Sequence, residues 1–215
     1  MRVQSQANKP FDPHELLGVA ISSIHQNQRH VGLIYSDDNN QPQLCHLAWH
    51  HKLKDEPLPP QYLWGVSGLD QFNKPFMAAY VSLLKQNSTP VPYGIDYADY
   101  SGLYFDDQGN YIEQPIGRGL TCATFILAVF NRKGFNLLQT ATWPQRQDDV
   151  NWQNQIISTL SNQATSEHVE AMKQNIGAIR FRPEEVAAGV ISEDIPLDFT
   201  SALAIAIEIL SDIYH

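Results

Sequence analysis

Cysteine is scarce in this chain, and long apolar runs are missing. Two cysteines occur among 215 residues, Cys45 and Cys122. They are too few for the disulfide framework of a small secreted protein, so two reduced thiols are expected, and a single bridge stays open as the alternative. No run approaches the roughly 20 apolar residues that cross a bilayer, which predicts that no segment spans a membrane.

Positive charge is also sparse. The chain has 14 lysines and arginines against 23 acidic residues, and its longest basic cluster is Arg132-Lys133. A nucleic acid is therefore not expected as a partner, whereas the acidic surface leaves a protein partner open. Residues 1–13 are polar and lack the apolar stretch of a secretory signal, so a cytoplasmic location is expected.

The pattern of elements predicts an α+β protein. A hydrophobic content of 43% with 17% charged residues is typical of a globular chain. We expect a polar leader over residues 1–15, a core over 16–140, and a helical part over 141–215 that packs on the core in the same domain. The strands concentrate before residue 115.

Two strands are predicted over residues 30–36 (HVGLIYS) and 43–50 (QLCHLAWH), joined by a segment rich in turn formers. Residues 52–60 contain three prolines and four charges, which predicts a loop. Helices are expected from Asp70 to about residue 85, within residues 143–173 after a loop, after Pro183, and over residues 196–214.

Cys122 stands out because the sequence predicts that it opens a helix. Thr121 is a typical N-cap, and Gly134 ends the helix, whose other residues are apolar nearly all round. A helix N-terminus stabilises a thiolate, and its free N–H groups can stabilise an oxyanion. Free cysteines are often merely buried, so Cys122 needs a nearby base to be a candidate nucleophile.

The predicted hairpin offers that base. If paired residue numbers sum to 78, His46 lies opposite Gly32 and diagonal to His30, within reach of its ring. Gly32 then leaves room between the two imidazoles. His30 would accept the Cys122 proton and His46 would fix the His30 tautomer, whereas Cys45 would face the opposite side of the sheet, in the core.

These motifs resemble a known superfamily. The order HVGLIY, CHLA and then LTCATF at the start of a helix is similar to that of the circularly permuted NlpC-type papain-like proteins, which include the lecithin–retinol acyltransferase-like proteins. The resemblance covers roughly residues 18–135. It implies a papain-like core, with a small antiparallel sheet packed on a buried cysteine helix, extended here by C-terminal helices. It also implies thiol-dependent hydrolysis or acyl transfer on an amide, peptide or ester, with Cys122 as nucleophile, His30 as base and His46 as orienting residue.

Four further residues are candidates for contact with a small-molecule or peptide substrate. Gly119 would let the main chain approach a substrate closely, and Thr121 would position the thiol. Tyr93 belongs to an aromatic and acidic loop, over residues 93–100, that either walls the cleft or is only a surface loop. Arg118 either holds a substrate carboxylate or forms a surface salt bridge.

Three alternatives compete with this hypothesis. His46, His50 and His51 could form a metal cluster, but no usual zinc spacing completes it, so no metal and no cofactor is expected. The two cysteines could act in redox chemistry, but they lack the Cys-x-x-Cys spacing. The chain could also be a non-catalytic scaffold that keeps a papain-like shape, and selective labelling of Cys122 over Cys45 would distinguish an enzyme from it.

Overall fold

The computed structural model describes residues 2–25, 28–87, 90–97 and 104–214, and within these ranges the protein is α+β. Its strands are β1 (Gln4–Ser5), β2 (Leu17–His25), β3 (Gln28–Ser36), β4 (Pro42–Trp49), β5 (Lys52–Pro57) and β6 (Leu63–Val66). Its α-helices are α1 (Asn73–Gln86), α2 (Cys122–Arg132), α3 (Gln147–Leu160), α4 (Ser166–Lys173), α5 (Pro183–Ile191) and α6 (Phe199–Tyr214).

The six strands form one antiparallel sheet in the order β1-β6-β2-β3-β4-β5. Two parts of this sheet differ from the expectations. The segment expected as a polar leader supplies β1, and its Phe11 is buried. The segment expected as a loop forms the edge strand β5, in which charges and a terminal proline are well tolerated because one side pairs with no strand among the described residues.

Both faces of the sheet are covered. Alternate residues such as Val31, Leu33 and Cys45 belong to the larger core, which also contains α2. The other face is packed with Ile34 and Leu44, under a smaller apolar cluster that includes Phe11, Tyr62 and Trp64. Strand β3 is therefore buried on both sides, which explains its nearly continuous apolar sequence.

The C-terminal helices share the larger core. The apolar side of α5 packs on β2, β3 and α2, and α6 packs on α5. One helix was expected within residues 143–173, but the chain forms two, because Thr165 caps a new helix at α4. Within the described ranges, no helix is long and apolar enough to cross a membrane.

Candidate functional site

Cys122 is the first residue of α2, as the sequence predicts. The Thr121 hydroxyl accepts a hydrogen bond from the Thr124 N–H at 3.1 Å, and the Thr124 hydroxyl accepts one from the Thr121 N–H at 2.7 Å. This reciprocal cap fixes the first turn. Residues 122–130 are all buried, so the helix is held firmly and its thiol cannot move far from the N-terminus.

His30 and His46 meet as the predicted register requires. Leu33 pairs with Cys45 and Ile34 with Leu44, which gives the sum of 78. The His30 Nε2 lies 2.6 Å from the His46 Nδ1. A Cβ on Gly32 would lie 2.7 Å from the His46 Cβ, so only glycine leaves the second imidazole its place without a shift.

A split in the sheet brings the thiol and the His30 imidazole to one cavity. The ladder between β3 and β4 runs from Ser36↔Pro42 only to Leu33↔Cys45. Beyond that point β3 stays paired with β2, and β4 stays paired with β5. The two strands therefore part, and residues 28–30 and 47–49 line a cavity together with Cys122. Consecutive residues of a strand point to opposite faces of the sheet. Both kinds can line this cavity because it lies where β3 and β4 are no longer paired.

One residue of this network was not identified from the sequence. The His46 Nε2 lies 3.3 Å from the Glu56 Oε1. Glu56 belongs to the neighbouring strand β5, where it pairs with Leu44 of β4. Alternation along the strand puts Glu56 on the same face as His46. Glu56 is not found from the sequence because residues 52–60 are expected to form a loop, where the alternation of side chains along a strand does not apply.

The pKa directions describe an uncharged resting site. Burial and, to a lesser extent, the adjacent His46 lower the pKa of His30 to about 3. Burial likewise lowers the pKa of His46 to about 4. Burial raises the pKa of Cys122, although hydrogen bonds from the Val31 and Ala123 N–H groups and the charge of Arg180 oppose this rise. At neutral pH the thiol and both imidazoles are therefore neutral.

No hydrogen bond joins the thiol to the base among the described residues. Within the described part of the chain, the hydrogen bond of the His30 ring goes to His46 through Nε2, and none links an imidazole to the Cys122 sulfur. The Nδ1 of His30 is thus the nitrogen that stays available.

Two of the four predicted substrate contacts line the cavity, and two do not. Tyr93 and Thr121 line it beside Cys122. Arg118 lies at a separate surface cavity and forms an ion pair with Asp96, so it is a salt-bridge residue there. The prediction that Arg118 contacts substrate at this site is therefore not supported by its position.

Gly119 has a different role from the expected one. A Cβ at Gly119 would lie 2.3 Å from the Pro92 carbonyl oxygen, because Tyr93 and Leu120 form a parallel bridge that brings the two segments together. Gly119 therefore lets the main chain lie close to residues 92–94, and it does not line the wall of the cavity. Of the aromatic and acidic loop, residues 98–100 lie outside the described ranges.

His50, His51 and His168 form a separate group. His50 accepts a hydrogen bond from the Tyr93 N–H through Nδ1 at 3.1 Å, and its ring stacks near that of His51. His168 uses both ring nitrogens, one with Gly117 and one with the Tyr93 carbonyl. These contacts tie the 92–94 segment in place, and no set of three or more His, Cys, Asp or Glu is placed to hold a metal among the described residues.

The C-terminal third contributes five of the cavity-lining residues that sequence reasoning missed. Trp152 and Ile156 of α3, together with Arg180, Phe181 and Pro183, line the cavity opposite the strands. The cavity has a volume of about 80 Å³, which is smaller than that of most small-molecule sites, so it holds only a small part of a substrate. No sequence signal pointed to these residues, because their approach depends on how the helices fold back over the sheet.

Comparison with known proteins adds no relative. No family model, no curated protein and no solved structure matches this chain. A proposal about function therefore depends on the geometry and chemistry of the Cys122 cavity.

Proposed function

We propose that the protein is a thiol-dependent hydrolase or acyltransferase that acts on an amide, peptide or ester. One observation carries the proposal: a cysteine at a capped helix N-terminus lines the same cavity as His30, whose ring bonds to His46. A nucleophile, a base and a residue that orients the base are the parts that acyl transfer through a thiol requires.

The contacts imply a proton arrangement suited to this role. If the Glu56 carboxylate accepts the His46 Nε2–H, the His46 Nδ1 carries no proton and must accept from the His30 Nε2–H. The His30 Nδ1 then has its lone pair free. This is the tautomer that can take a proton from a thiol, and the hydrogen positions follow here from the network.

The first step is general-base-assisted attack, because the resting thiol and imidazole are both neutral. The His30 Nδ1 takes the thiol proton while the sulfur adds to the substrate carbonyl. The carbonyl electron pair moves to oxygen, where the Cys122 N–H, at the helix N-terminus, can donate to it. Collapse of this intermediate breaks the bond to the leaving group, which takes the proton from His30 and leaves a thioester.

The second step returns the thiol. Water, or an acceptor alcohol or amine, gives a proton to His30 and attacks the thioester carbonyl. The carbon–sulfur bond breaks, and the sulfur recovers a proton from His30. Water as acceptor makes the reaction a hydrolysis, and another acceptor makes it a transfer.

The proposal includes a papain-like core of the permuted type. The histidine strand, the second histidine strand and the cysteine helix follow each other in the chain in the order of that superfamily, and the helix packs on an antiparallel sheet. The C-terminal helices then form an addition that supplies one wall of the site.

Alkylation with iodoacetamide tests the proposal, with Cys45 as internal control because its side chain is fully buried in the core. We expect selective labelling of Cys122 in the folded protein at neutral pH, slowed at least about tenfold by His30→Gln. The site of labelling is read by peptide mass spectrometry.

Two results would count against an enzyme. Equal and slow labelling of both cysteines would favour the scaffold hypothesis instead. Labelling of Cys122 that His30→Gln leaves unchanged would remove His30 as the base.

A further inference from the structure

Two arginines, Arg29 and Arg180, line the cavity, and the charge of Arg180 is only partly compensated. Arg180 lies on its wall, with a side chain that is 12% exposed. Its guanidinium stacks on the Trp152 ring, 3.7 Å from the ring centroid. This stacking fixes the plane of the guanidinium and covers one of its faces, so the nitrogen edge is the part left to bind a ligand.

The neighbouring arginines are better compensated. Arg29 makes a bidentate ion pair with Glu184, at 2.7 and 2.8 Å. Arg146 and Arg182 share Asp149, but each has a second carboxylate, Glu185 and Asp148 respectively.

Among the described residues Arg180 forms an ion pair only with Asp149, while Glu184, which pairs with Arg29, attracts its charge without a direct contact. Its Nη1 lies 3.2 Å from the Asp149 Oδ1, an oxygen that Arg182 also contacts at 3.0 Å. Its Nε and Nη2 have no protein partner in the described part of the chain, and neither is sealed from solvent. A partly desolvated guanidinium with free donors favours an anion strongly, and its fork matches the two oxygens of a carboxylate.

We propose that Arg180 binds a carboxylate on the substrate, so that the enzyme acts on amides or esters with an anionic group close to the scissile carbonyl. This inference rests on the proposed function, and it specifies the substrate class of the same site. Apolar walls from Trp49, Ile156 and Phe181 would surround the rest of the substrate. The wall that selects the substrate thus comes largely from the C-terminal helical third.

Two alkylating reagents that differ in one charge test the inference. Iodoacetate carries a carboxylate next to its reactive carbon, whereas iodoacetamide is neutral and nearly the same size. In both, the thiol sulfur displaces iodide. The chain has a net charge of −9, which by itself disfavours iodoacetate, so preference for iodoacetate requires a local cation.

We expect the ratio of iodoacetate to iodoacetamide rate constants at Cys122 to exceed that of glutathione. Arg180→Gln should lower this ratio on the order of tenfold, the usual size of a lost charge-assisted hydrogen bond. Arg118→Gln removes the same charge at a separate cavity and serves as the matched control, with no change expected.

The outcomes separate the inference from the proposed function. An unchanged ratio in Arg180→Gln, or an equal fall in Arg118→Gln, would overturn the inference alone. Failure of both reagents to label Cys122 would overturn the proposed function and the inference with it. If Arg180→Gln does not fold, Arg180→Met replaces it, and a wild-type ratio no higher than that of glutathione would be sufficient to reject the carboxylate site.

Discussion

At the scale of single residues, the proposed mechanism depends on three side chains in contact, which determine which nitrogen of the His30 ring carries the proton. Glu56 contacts His46, and His46 contacts His30. The sequence identified the two imidazoles because strand parity places them on one face. It did not identify Glu56, because charges and prolines in residues 52–60 suggested a loop and hid the alternation.

We predict that Glu56→Gln slows alkylation of Cys122 on the order of tenfold. A glutamine amide can either accept from the His46 ring or donate to it, so it no longer selects one His46 tautomer, and part of the population has His30 protonated on Nδ1 and unable to accept the thiol proton. The measurement is the second-order rate constant with iodoacetamide at neutral pH.

Glu113→Gln is the matched control, since Glu113 is an exposed carboxylate that lines the other cavity. Equal rates for the Glu56 variant and the wild type would show that the contact with His46 does not set the tautomer.

At the scale of elements, the register of one hairpin and the start of one helix carry the site. Both could be predicted: alternation in β3 and β4 fixes which side chains share a face, and a threonine before an apolar run marks a helix start. The separation of β3 from β4 could not be predicted. It depends on β2 pairing with β3 and β5 pairing with β4, while α2 packs against the gap between them.

We predict that Thr121→Ala both destabilises the protein and slows labelling of Cys122. Loss of the reciprocal cap should cost about 1 kcal/mol in the free energy of unfolding, and fraying of the first turn would displace the sulfur. Chemical denaturation and alkylation rates measure the two effects.

Thr165→Ala removes a similar cap from α4, where Thr165 accepts from the His168 N–H. It should cost comparable stability and leave labelling of Cys122 as it is. Were both variants to slow labelling alike, the effect would be one of general stability and not of thiol placement.

At the scale of the whole molecule, the α+β class follows from the order of strand and helix patterns, but the way the C-terminal third contributes does not. Glu184 and Glu185 look like helix-end charges in the sequence. In the folded chain both are buried and pair with arginines from distant segments, Arg29 and Arg146. A single sequence shows which charges exist, whereas their pairing depends on the tertiary arrangement.

The buried histidines predict how stability varies with pH. In the unfolded chain they titrate near 6.5, whereas in the folded chain the pKa of His30 is about 3 and that of His46 about 4. Below pH 6.5 the unfolded chain therefore binds protons that the folded chain does not. Stability from this pair is complete above 6.5 and falls as the pH drops toward the folded pKa values.

We expect the pair to lower the free energy of unfolding by on the order of 4 kcal/mol between about pH 7 and about pH 5, because each imidazole contributes about 1.4 kcal/mol per pH unit below 6.5. A double variant, His30→Gln with His46→Gln, should show a flatter dependence over this interval in urea denaturation. Identical slopes for the variant and the wild type would mean that these imidazoles are protonated in the folded protein at the lower pH.

The parting of β3 and β4 has a consequence for how such a protein could diversify. Main-chain pairing of β3 with β2 and of β4 with β5 holds the gap between β3 and β4, so no side chain that lines the cavity is needed to keep it open. Trp49, Ile156 and Phe181 enter from three unconnected segments and can be exchanged one at a time. Under the proposed function, preference for a new acyl compound could thus be acquired stepwise, without changes to Cys122 or His30.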